Sequence, residues 1–373
     1  MNSSTTVWDT LAAPRYSDGM SLNRIVVCGL GRVGTVAARL LHEHGLQVTG
    51  VDARPVGAPE PFETRVADLA SDEGVAEGLA SCDAVLSCLP YQLNRRVAVA
   101  AHARGVHYFD LTEDVATTRA VADLSATARG LMAPQCGLAP GFIGIVGAAQ
   151  VGAFEVCRSL RLRVGALPQH PTGLMGYAFN WSPEGVVNEY LNDCEVIEDG
   201  QRKWVSSMEW HEQLYVDGVA LEAFTTSGGL GTICETFHGR VANVDYKTIR
   251  YPGHMKVMNF FFHELLMREH RDLAGSILTN AKPPVDADVV YVHVSADGAI
   301  NGRLQRREFV RAYRPRVVAG RQEAAIAWTT ASSAVAVVQL MRDGLLPQRG
   351  FLKQEQIPLD AFLKTPTGRF FAE

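Results

Sequence analysis

The sequence lacks the features of disulfide-rich, membrane-spanning and nucleic-acid-binding proteins. Its seven cysteines include no CxxC pair, which argues against a disulfide framework and a thiolate zinc site, so we predict no metal. No apolar run approaches the roughly 20 residues of a membrane-spanning helix. With 35 Lys and Arg against 40 Asp and Glu and no long basic stretch, nothing predicts binding to nucleic acid or to a membrane surface. We expect a soluble, cytoplasmic protein with small-molecule partners.

What the sequence does have is enough apolar content for two domains. It contains 373 residues, of which 47% are hydrophobic, and single cores stop growing at about 250–300 residues. Residues 1–23 have neither a basic start nor a continuous apolar stretch. We interpret them as a loose tail rather than a secretory signal.

Residues 24–145 alternate short β-branched runs with helix-like stretches, which is the pattern of βαβ units and a parallel sheet. The predicted strands are Arg24–Cys28, Gln47–Val51, Glu63–Ala67, Ala84–Leu89, Val106–Leu111 and Leu131–Gln135. The predicted helices are Val33–His44, Asp72–Leu79 and Leu93–Arg104. We therefore expect an α/β fold that begins with a doubly wound sheet.

Residues 146–322 change to alternating polar and apolar positions, which suit half-buried strands of a mixed sheet. Arg158–Val164 and Asp288–Val294 show this alternation, and Asp297-Gly298 resembles a hairpin turn before Arg303–Tyr313. A long apolar helix is predicted over Glu323–Asp343. The second half thus predicts an α+β domain, with a boundary near residues 140–150.

A GxGxxG hexapeptide follows the first predicted strand and opens the first helix. Gly29 permits the tight turn, Gly31 lets backbone amides approach a pyrophosphate, and Gly34 lets the helix pack on its strand, with Arg32 and Val33 between them. A lone match of this kind is often only a turn. Here the strand and helix on either side favour a Rossmann dinucleotide site.

Asp52 ends the second predicted strand, about 20 residues after the glycines, where an acidic residue binds the adenosine ribose hydroxyls. A carboxylate at this position repels a 2′-phosphate. We therefore predict NAD rather than NADP, with Ala53 and Arg54 beside the ribose. Arg54 weakens the discrimination, because it offers a cation to that phosphate.

Further coenzyme contacts are expected beyond the carboxyl ends of the other strands, where open parallel sheets bind ligands. Asp68 and Leu69 would flank the adenine, and Cys88, Leu89 and Pro90 would flank the nicotinamide ribose. Simple strand-ending loops are an equal alternative for each of them.

Several segments of the chain match one family. They are Asp110-Leu-Thr-Glu-Asp114, Gly137-Leu-Ala-Pro-Gly141, Trp181-Ser-Pro-Glu-Gly-Val-Val-Asn-Glu-Tyr190, Thr226-Ser-Gly-Gly-Leu-Gly231 and Lys247-Thr-Ile-Arg-Tyr-Pro-Gly-His254. Together with the glycine motif they resemble the saccharopine dehydrogenase-like oxidoreductases, and within that group the lysine 6-dehydrogenases most closely. The resemblance runs from Arg24 to the region of Phe351–Phe362.

This resemblance implies a Rossmann domain completed by residues of about 323–373, an intervening substrate-binding and dimerisation domain, and a homodimer. It also implies the reaction, in which L-lysine and NAD give 2-aminoadipate 6-semialdehyde, ammonia and NADH. The aldehyde then cyclises to a piperideine carboxylate.

The implied chemistry requires a neutral ε-amine, because the nitrogen lone pair must push electrons toward the departing hydride. Neutralising an ammonium of pKa about 10.4 at pH 7 costs roughly 4–5 kcal/mol, which a desolvated pocket and a base can share. Asp110, Glu113, Tyr177 and His254 are the candidate proton-transfer groups. Gly137, Pro140 and Gly141 would form a stiff loop beside the nicotinamide.

Arg240, Lys247 and Arg250 are candidates for the substrate α-carboxylate, because guanidinium and ammonium groups bind carboxylates. Each residue also has a purely structural alternative. Asp110 competes with Thr112 and Asp114 as a helix cap, the three cations suit a solvated surface, and His254 suits the core.

Two other functions fit the same sequence. One is a saccharopine- or carboxyspermidine-type reductive condensation of an amine with a carbonyl compound. The other is a non-catalytic NAD-binding regulator, which would be favoured if Asp110, Glu113 and His254 did not converge on the nicotinamide.

Overall fold

The computed structural model describes residues 22–373, so the predicted tail lies outside the described residues except for Leu22 and Asn23. The strands are β1 (Arg24–Cys28), β2 (Gln47–Asp52), β3 (Glu63–Val66), β4 (Ala84–Ser87), β5 (His107–Asp110), β6 (Leu131–Ala133), β7 (Val156–Pro168), β8 (Cys194–Glu198), β9 (Gln201–Val205), β10 (Glu212–Val216), β11 (Val219–Thr225), β12 (Asn243–Arg250), β13 (Asp288–Ile300), β14 (Arg303–Tyr313), β15 (Arg316–Val318), β16 (Arg321–Glu323) and β17 (Gly350–Phe351).

The helices are α1 (Arg32–Glu43), α2 (Asp72–Gly78), α3 (Tyr91–Arg104), α4 (Val115–Ser125), α5 (Phe142–Gly152), α6 (Pro183–Leu191), α7 (Ile233–Phe237), α8 (His254–Asn259), α9 (Arg271–Ala281), α10 (Ala325–Arg342) and α11 (Leu359–Lys364). None of the helices in residues 22–373 is both long enough and apolar enough to cross a membrane.

The first sheet is parallel, with strand order β17-β6-β5-β4-β1-β2-β3. β1 and β4 are fully buried except for Arg24, as expected for strands covered by helices on both faces. The strand order reverses direction at β1, which creates the crevice where such sheets bind ligands. The prediction of a Rossmann-type α/β fold is confirmed, and all six predicted strands of this region are present.

The C-terminal part of the chain returns to this first sheet. β17 pairs in parallel with β6, and α10 contacts α1, where the Arg342 guanidinium donates to the His44 carbonyl at 2.8 Å. The predicted long helix is present as α10, which is buried along most of its length. Residues from the end of the chain therefore add an edge strand to the first sheet and pack against its first helix.

The second sheet is mixed, as the alternating pattern predicts, and its main strand order is β10-β11-β12-β7-β13-β14. β12 and β7 pair in parallel, while the other neighbours on this path are antiparallel. Helix α5 is buried between β7, β13 and the C-terminal segment, and one apolar cluster runs through all of them. The two sheets thus share a continuous core, which fixes how their facing edges meet.

The predicted hairpin turn at Asp297-Gly298 is wrong. β13 continues through both residues, with a register irregularity against β7 at this point, and the chain turns instead at Asn301 and Gly302, both of which have positive φ. The Asp297 carboxylate accepts hydrogen bonds from Ser159, Arg161 and Arg306 across three strands. These cross-strand contacts stabilise an Asp within a strand, whereas Asn-Gly supplies the two-residue turn.

Candidate active site

The chain passes from β1 into α1 through three glycines with different surroundings. Gly29 has a φ of +88°, which side chains rarely adopt. A Cβ on Gly34 would lie 1.8 Å from the Gly29 carbonyl oxygen, whereas a Cβ on Gly31 would meet nothing within 4 Å. Gly34 therefore permits close packing of the helix on the strand, and Gly31 leaves the turn open to a ligand.

The first turn of α1 is suited to an anion. Gly31 is its N-cap, no side chain caps the helix, and no acidic residue lies in the first turn. Gly31 and Arg32 are exposed, so the first amide groups face open space at the positive end of the helix dipole. An open, uncapped turn of this kind fits the pyrophosphate of a dinucleotide.

Asp52 lies at the end of β2, beside this turn. Its Oδ2 accepts a hydrogen bond from the Leu30 amide at 2.8 Å, and its Oδ1 accepts one from the Arg54 amide at 3.0 Å. The carboxylate is only partly buried, and Ala53 and Arg54 are exposed. The two amides hold the carboxylate at the edge of the crevice, where it can still accept from a ribose hydroxyl.

A cavity of about 270 Å³ lies where loops of the first sheet face the second sheet. The first half of the chain contributes Val33 of α1, Cys88–Tyr91 after β4, Leu111 and Glu113 after β5, and Gly137–Ala139 after β6. The second sheet contributes Val164–Ala166 of β7 and Tyr246, Thr248 and Arg250 of β12. Trp181, Ser182 and Glu189 of α6 and its preceding turn, with Ile326 and Thr330 of α10, complete the wall.

The cavity opens toward the coenzyme crevice. Val33, Cys88, Leu89 and Pro90 line it and also follow β1 and β4, the two strands at which the sheet order reverses. A dinucleotide whose pyrophosphate lay on α1 would therefore direct its nicotinamide into this cavity, beside the Gly137–Ala139 loop.

The cavity wall holds two carboxyl groups and one guanidinium, those of Glu113, Glu189 and Arg250. Burial, together with the carboxylates of Asp114 and Asp110, raises the pKa of Glu113 to about 7. Burial raises the pKa of Glu189 to about 8, with a further contribution from Glu113 and an opposing one from Arg250. Carboxyl groups with pKa values this close to neutrality are suited to proton transfer.

Arg250 is 2% exposed. It donates to the Tyr190 hydroxyl at 2.7 Å, the Thr248 hydroxyl at 2.5 Å and the Ile249 carbonyl, and none of its contacts with the described residues is an ion pair. A buried cation is stable only when it is paired. The Arg250 guanidinium is therefore placed to receive an anionic group of a ligand in the cavity.

Asp110 does not line the cavity. Its carboxylate is fully buried and accepts from the Tyr108 hydroxyl at 2.8 Å and from the Thr112 and Gln135 amides at 2.9 Å each. It joins the loops after β5 and β6, so the prediction of a proton-transfer role is corrected to a structural one. It is not a helix cap either, because Asp114 accepts from the Thr117 amide at the start of α4.

Tyr177 and His254 lie behind Arg250 and not on the cavity wall. The Tyr177 ring stacks on the guanidinium, with 4.6 Å between the Arg250 Cζ and the ring centroid, and its hydroxyl accepts from Trp181 at 3.3 Å. Both ring nitrogens of His254 are occupied, by Tyr190 at 2.9 Å and by the Met175 carbonyl at 2.8 Å. The prediction that these residues transfer protons directly is corrected, because neither of them lines the cavity.

Of the three predicted carboxylate ligands, the structure brings only Arg250 to the cavity. Arg240 is exposed, with its guanidinium 5.6 Å from the Phe237 ring centroid. Lys247 is buried in an ion pair, with 2.7 Å between its Nζ and the Glu212 Oε2. Both predictions are corrected, because one cation faces solvent and the other is already neutralised.

The remaining residues that were predicted to contact the coenzyme lie in the loops after β6 and β3. A Cβ on Gly141 would lie 2.0 Å from the Gly137 carbonyl oxygen, so Pro140 and Gly141 close the turn that presents Gly137 to the cavity. Asp68 and Leu69 follow β3 farther from the cavity, where Leu69 is buried and Asp68 is exposed.

Sequence reasoning missed Glu189, Thr248 and Tyr246. Glu189 is 5% exposed, although it occurs within a segment chosen for its family resemblance. A detectable signal was present, because Glu189 lies three residues after the buried Val186 and next to the buried Tyr190, on the apolar side of a helix. A carboxyl group at such a position is seldom a surface residue.

Two family models match the chain. The saccharopine dehydrogenase NADP binding domain matches residues 25–133, and the saccharopine dehydrogenase C-terminal domain matches residues 137–367, more than half of the chain. No metal-binding cluster of His, Cys, Asp and Glu occurs within the residues described.

Solved structures share the fold. A saccharopine dehydrogenase (L-Glu forming) from Saccharomyces cerevisiae is 16% identical, with a TM-score of 0.71 over 92% of this chain and 96% of its own. An engineered D-amino acid dehydrogenase bound to NADP+ is 11% identical, with a TM-score of 0.51 over 94% of this chain and 99% of its own. The DAP dehydrogenase of C. glutamicum in complex with DAP is 12% identical, with a TM-score of 0.50 over 95% and 99%.

The match to a saccharopine dehydrogenase NADP binding domain covers the glycine turn and most of the first sheet, and the open crevice at that turn agrees with it. The chain therefore belongs to the saccharopine dehydrogenase family and is an oxidoreductase of that family with a pyridine-nucleotide-binding domain.

Proposed function

We propose that this protein is an NAD-dependent lysine 6-dehydrogenase. In the proposed reaction L-lysine, NAD+ and water give 2-aminoadipate 6-semialdehyde, ammonium and NADH, and the aldehyde cyclises to a piperideine carboxylate. The observation that carries the proposal is the set of charged groups in the cavity, which has two carboxyls and one guanidinium.

This charge pattern is complementary to a diamino acid. Lysine has one carboxylate and two amino groups, which match Arg250, Glu113 and Glu189 one to one. A condensation product such as saccharopine has three carboxylates. Among the described residues Arg250 is the sole cationic side chain on the cavity wall, so it could pair with only one of the three. A cavity of about 270 Å³ is also small by the standard of ligand sites, which measure about 300–1,000 Å³.

The positions of the two carboxyls suggest how lysine lies. Glu189 interacts electrostatically with Arg250, so these two residues would hold the α-ammonium and the α-carboxylate. Glu113 follows β5 and belongs to the part of the cavity wall that the first half of the chain contributes, which we take as the nicotinamide side. In this orientation the ε-amine lies beside Glu113, which accepts its proton and later activates the water that displaces ammonia.

The glycine turn and Asp52 would hold NAD, which would supply the acceptor for the hydride that leaves Cε. The protein supplies the conditions for that transfer: Glu113 takes the proton from the ε-ammonium, Arg250 fixes the other end of the substrate, and Trp181 and Leu111 limit access of bulk water. A base with a pKa near the operating pH is well matched to this proton.

NAD is proposed over NADP because Asp52 presents a carboxylate at the end of β2, where it would repel a 2′-phosphate. Arg54 is exposed two residues later, so the preference is expected to be finite. A homodimer is part of the same proposal, and sedimentation of the purified protein would measure it.

A non-catalytic regulator is the weaker alternative. Of the three groups expected beside the nicotinamide, only Glu113 lines the cavity, but Glu189 and Arg250 place two further ionisable groups there. A regulator would have no use for buried carboxyls whose pKa values are raised to about 7 and 8.

The test is the formation of NADH from L-lysine and NAD without any 2-oxo acid, followed by absorbance over an alkaline pH series. The expected result is turnover that is saturable in lysine, with ammonium released in equal amount. Oxidation of the reduced coenzyme only when an amine and a 2-oxo acid are both present would favour reductive condensation. Coenzyme binding without turnover of either kind would favour a regulator.

A further inference from the structure

A chain of hydrogen bonds extends from Arg250 away from the cavity. The Arg250 Nε donates to the Tyr190 hydroxyl at 2.7 Å, this hydroxyl lies 2.9 Å from the His254 Nε2, and the His254 Nδ1 lies 2.8 Å from the Met175 carbonyl. These hydrogen bonds connect β12, α6, α8 and the segment before α6.

The proton positions along this chain are determined by its two ends. The Met175 carbonyl can only accept, so Nδ1 of His254 carries a hydrogen. Burial, with the charge of Arg250, lowers the pKa of His254 to about 3, so the ring is neutral and Nε2 accepts. The Tyr190 hydroxyl therefore donates to His254 and accepts from Arg250, and every bond has one defined direction.

Packing restricts the same residues to one arrangement. His254 is 1% exposed, Tyr190 is 1% exposed, and the His254 ring stacks on Phe224 with an interplanar angle of 14°. The buried Glu222 carboxylate accepts from the amides of Gly253 and Met255 at 2.8 and 2.7 Å, which fixes the backbone on both sides of His254. Neither His254 nor Tyr190 lines the cavity.

We propose that Tyr190 and His254 are positioning residues that aim the Arg250 guanidinium at the carboxylate of the substrate. This inference rests on the proposed function to the extent that Arg250 binds a substrate carboxylate. In it, the Tyr190 hydroxyl fixes the rotation of the guanidinium through Nε, and His254 fixes the hydroxyl. Nη2 is then left for the ligand, because it makes no hydrogen bond within the described part of the chain.

Tyr190→Phe removes the hydroxyl and keeps the ring. The expected result is a rise of about 10- to 100-fold in KM for L-lysine, since a hydrogen bond to a charged group is lost, with kcat little changed. Cadaverine is lysine without its carboxylate, so its KM should be unaffected. A structural defect would instead change kcat, or change both substrates equally.

His254→Phe should give the same split between KM and kcat, and His254→Gln should partly restore KM, because a Gln side chain can accept from Tyr190. The matched control is Tyr251→Phe, which removes a hydroxyl that donates to the Pro168 carbonyl at 2.8 Å and lies next to Arg250 in sequence. It should leave both KM values unchanged.

The positioning role is overturned if Tyr190→Phe leaves the KM for L-lysine unchanged, or if it raises the KM for cadaverine equally. The proposed function has its own test on the wild-type protein. It is refuted if the wild type does not oxidise lysine but consumes NADH with an amine and 2-oxoglutarate, and also if the wild type binds L-lysine without turnover. The comparison is then made on the KM for 2-oxoglutarate, or on the dissociation constants of L-lysine and cadaverine by calorimetry. An unchanged value in Tyr190→Phe again refutes the positioning role.

Discussion

The coenzyme side and the substrate side of the cavity are built in different ways. The glycine turn and Asp52 belong to one βαβ unit and act through backbone amides and one partly exposed carboxylate. Glu113, Glu189 and Arg250 come from a loop, a helix and a strand that are far apart in sequence, and their proposed roles depend on side chains that are half-buried in the first case and buried in the other two. A site made of local backbone geometry leaves a contiguous motif, whereas one made by convergence of side chains does not.

The two sides also differ in electrostatics. On the coenzyme side, the dipole of α1 would stabilise a bound pyrophosphate without any buried charge. On the substrate side burial raises the pKa of Glu113 to about 7 and that of Glu189 to about 8. Only the substrate side should therefore respond to pH near neutrality.

The largest effect is expected at Gly34. Gly34→Ala places a Cβ 1.8 Å from the Gly29 carbonyl oxygen, so the turn must open, with loss of coenzyme binding and about 3 kcal/mol in the free energy of unfolding. Calorimetry with NAD and urea denaturation would measure the two effects. Gly57→Ala, where a Cβ meets nothing within 4 Å, is the control. Normal coenzyme binding by Gly34→Ala would contradict the claim that coenzyme binding depends on the backbone geometry of the glycine turn.

The second effect concerns Glu113. In the proposed reaction the carboxylate form of Glu113 is the base. Since burial raises the pKa of Glu113 to about 7, kcat/KM should rise with pH through about 7. Glu113→Gln should lower kcat about 100- to 10,000-fold and remove that rise, as steady-state kinetics from pH 5.5 to 9.5 would show.

Asp114→Asn is the matched control for Glu113→Gln, since Asn also caps α4 and position 114 does not line the cavity. Its activity on the alkaline side of the profile should remain near that of the wild type, with the rise in kcat/KM moved to slightly lower pH, because the Asp114 carboxylate contributes to the raised pKa of Glu113. An unchanged pH profile in Glu113→Gln would place the base elsewhere.

The third prediction compares Arg250, which lines the cavity, with Arg240, which was also predicted to bind the substrate carboxylate but is exposed. Arg250→Met should raise KM for L-lysine about 30- to 5,000-fold, since truncating a buried charged partner costs about 2–5 kcal/mol. Arg240→Met should have no effect, because Arg240 is exposed. Equal effects of the two substitutions would remove the distinction between them.

The smallest effect is expected at Asp52. Asp52→Ala removes the acceptor for a ribose hydroxyl and frees the Leu30 and Arg54 amides, so the dissociation constant for NAD should rise about 10- to 100-fold. Affinity for NADP should fall less or improve. Fluorescence titration with both coenzymes measures this, and an unchanged ratio of the two constants would refute the assignment.

The elements of the first sheet were predictable because each is specified locally. β1 is a short run of buried β-branched residues, and Gly105 ends α3 in the left-handed conformation, as expected for a C-terminal glycine. The turn at Asn301-Gly302 was missed because Asp297-Gly298 carries a similar signal four residues earlier. Only the cross-strand bonds of Asp297 decide between them.

The substrate side was predictable only in part, because the sequence does not show which charged side chains meet in the cavity. Arg240, Lys247 and Arg250 are equivalent candidates in the sequence. Solvent surrounds the first, Glu212 neutralises the second, and only the third lines the cavity, where it forms no ion pair with a described residue. Likewise Asp110 and Glu113 are three residues apart, yet one is saturated with hydrogen bonds and the other reaches the cavity.

The amino-acid sequence by itself determined the nucleotide turn, the parallel sheet around it and the family, because glycines, strand periodicity and short motifs act over a few residues. The tertiary structure decided which charged groups share the cavity and which pKa values shift. Burial and the pairing of charges depend on every neighbour in space, so Glu189 and Arg250 acquired their proposed roles only when α6 and β12 met the edge of the first sheet.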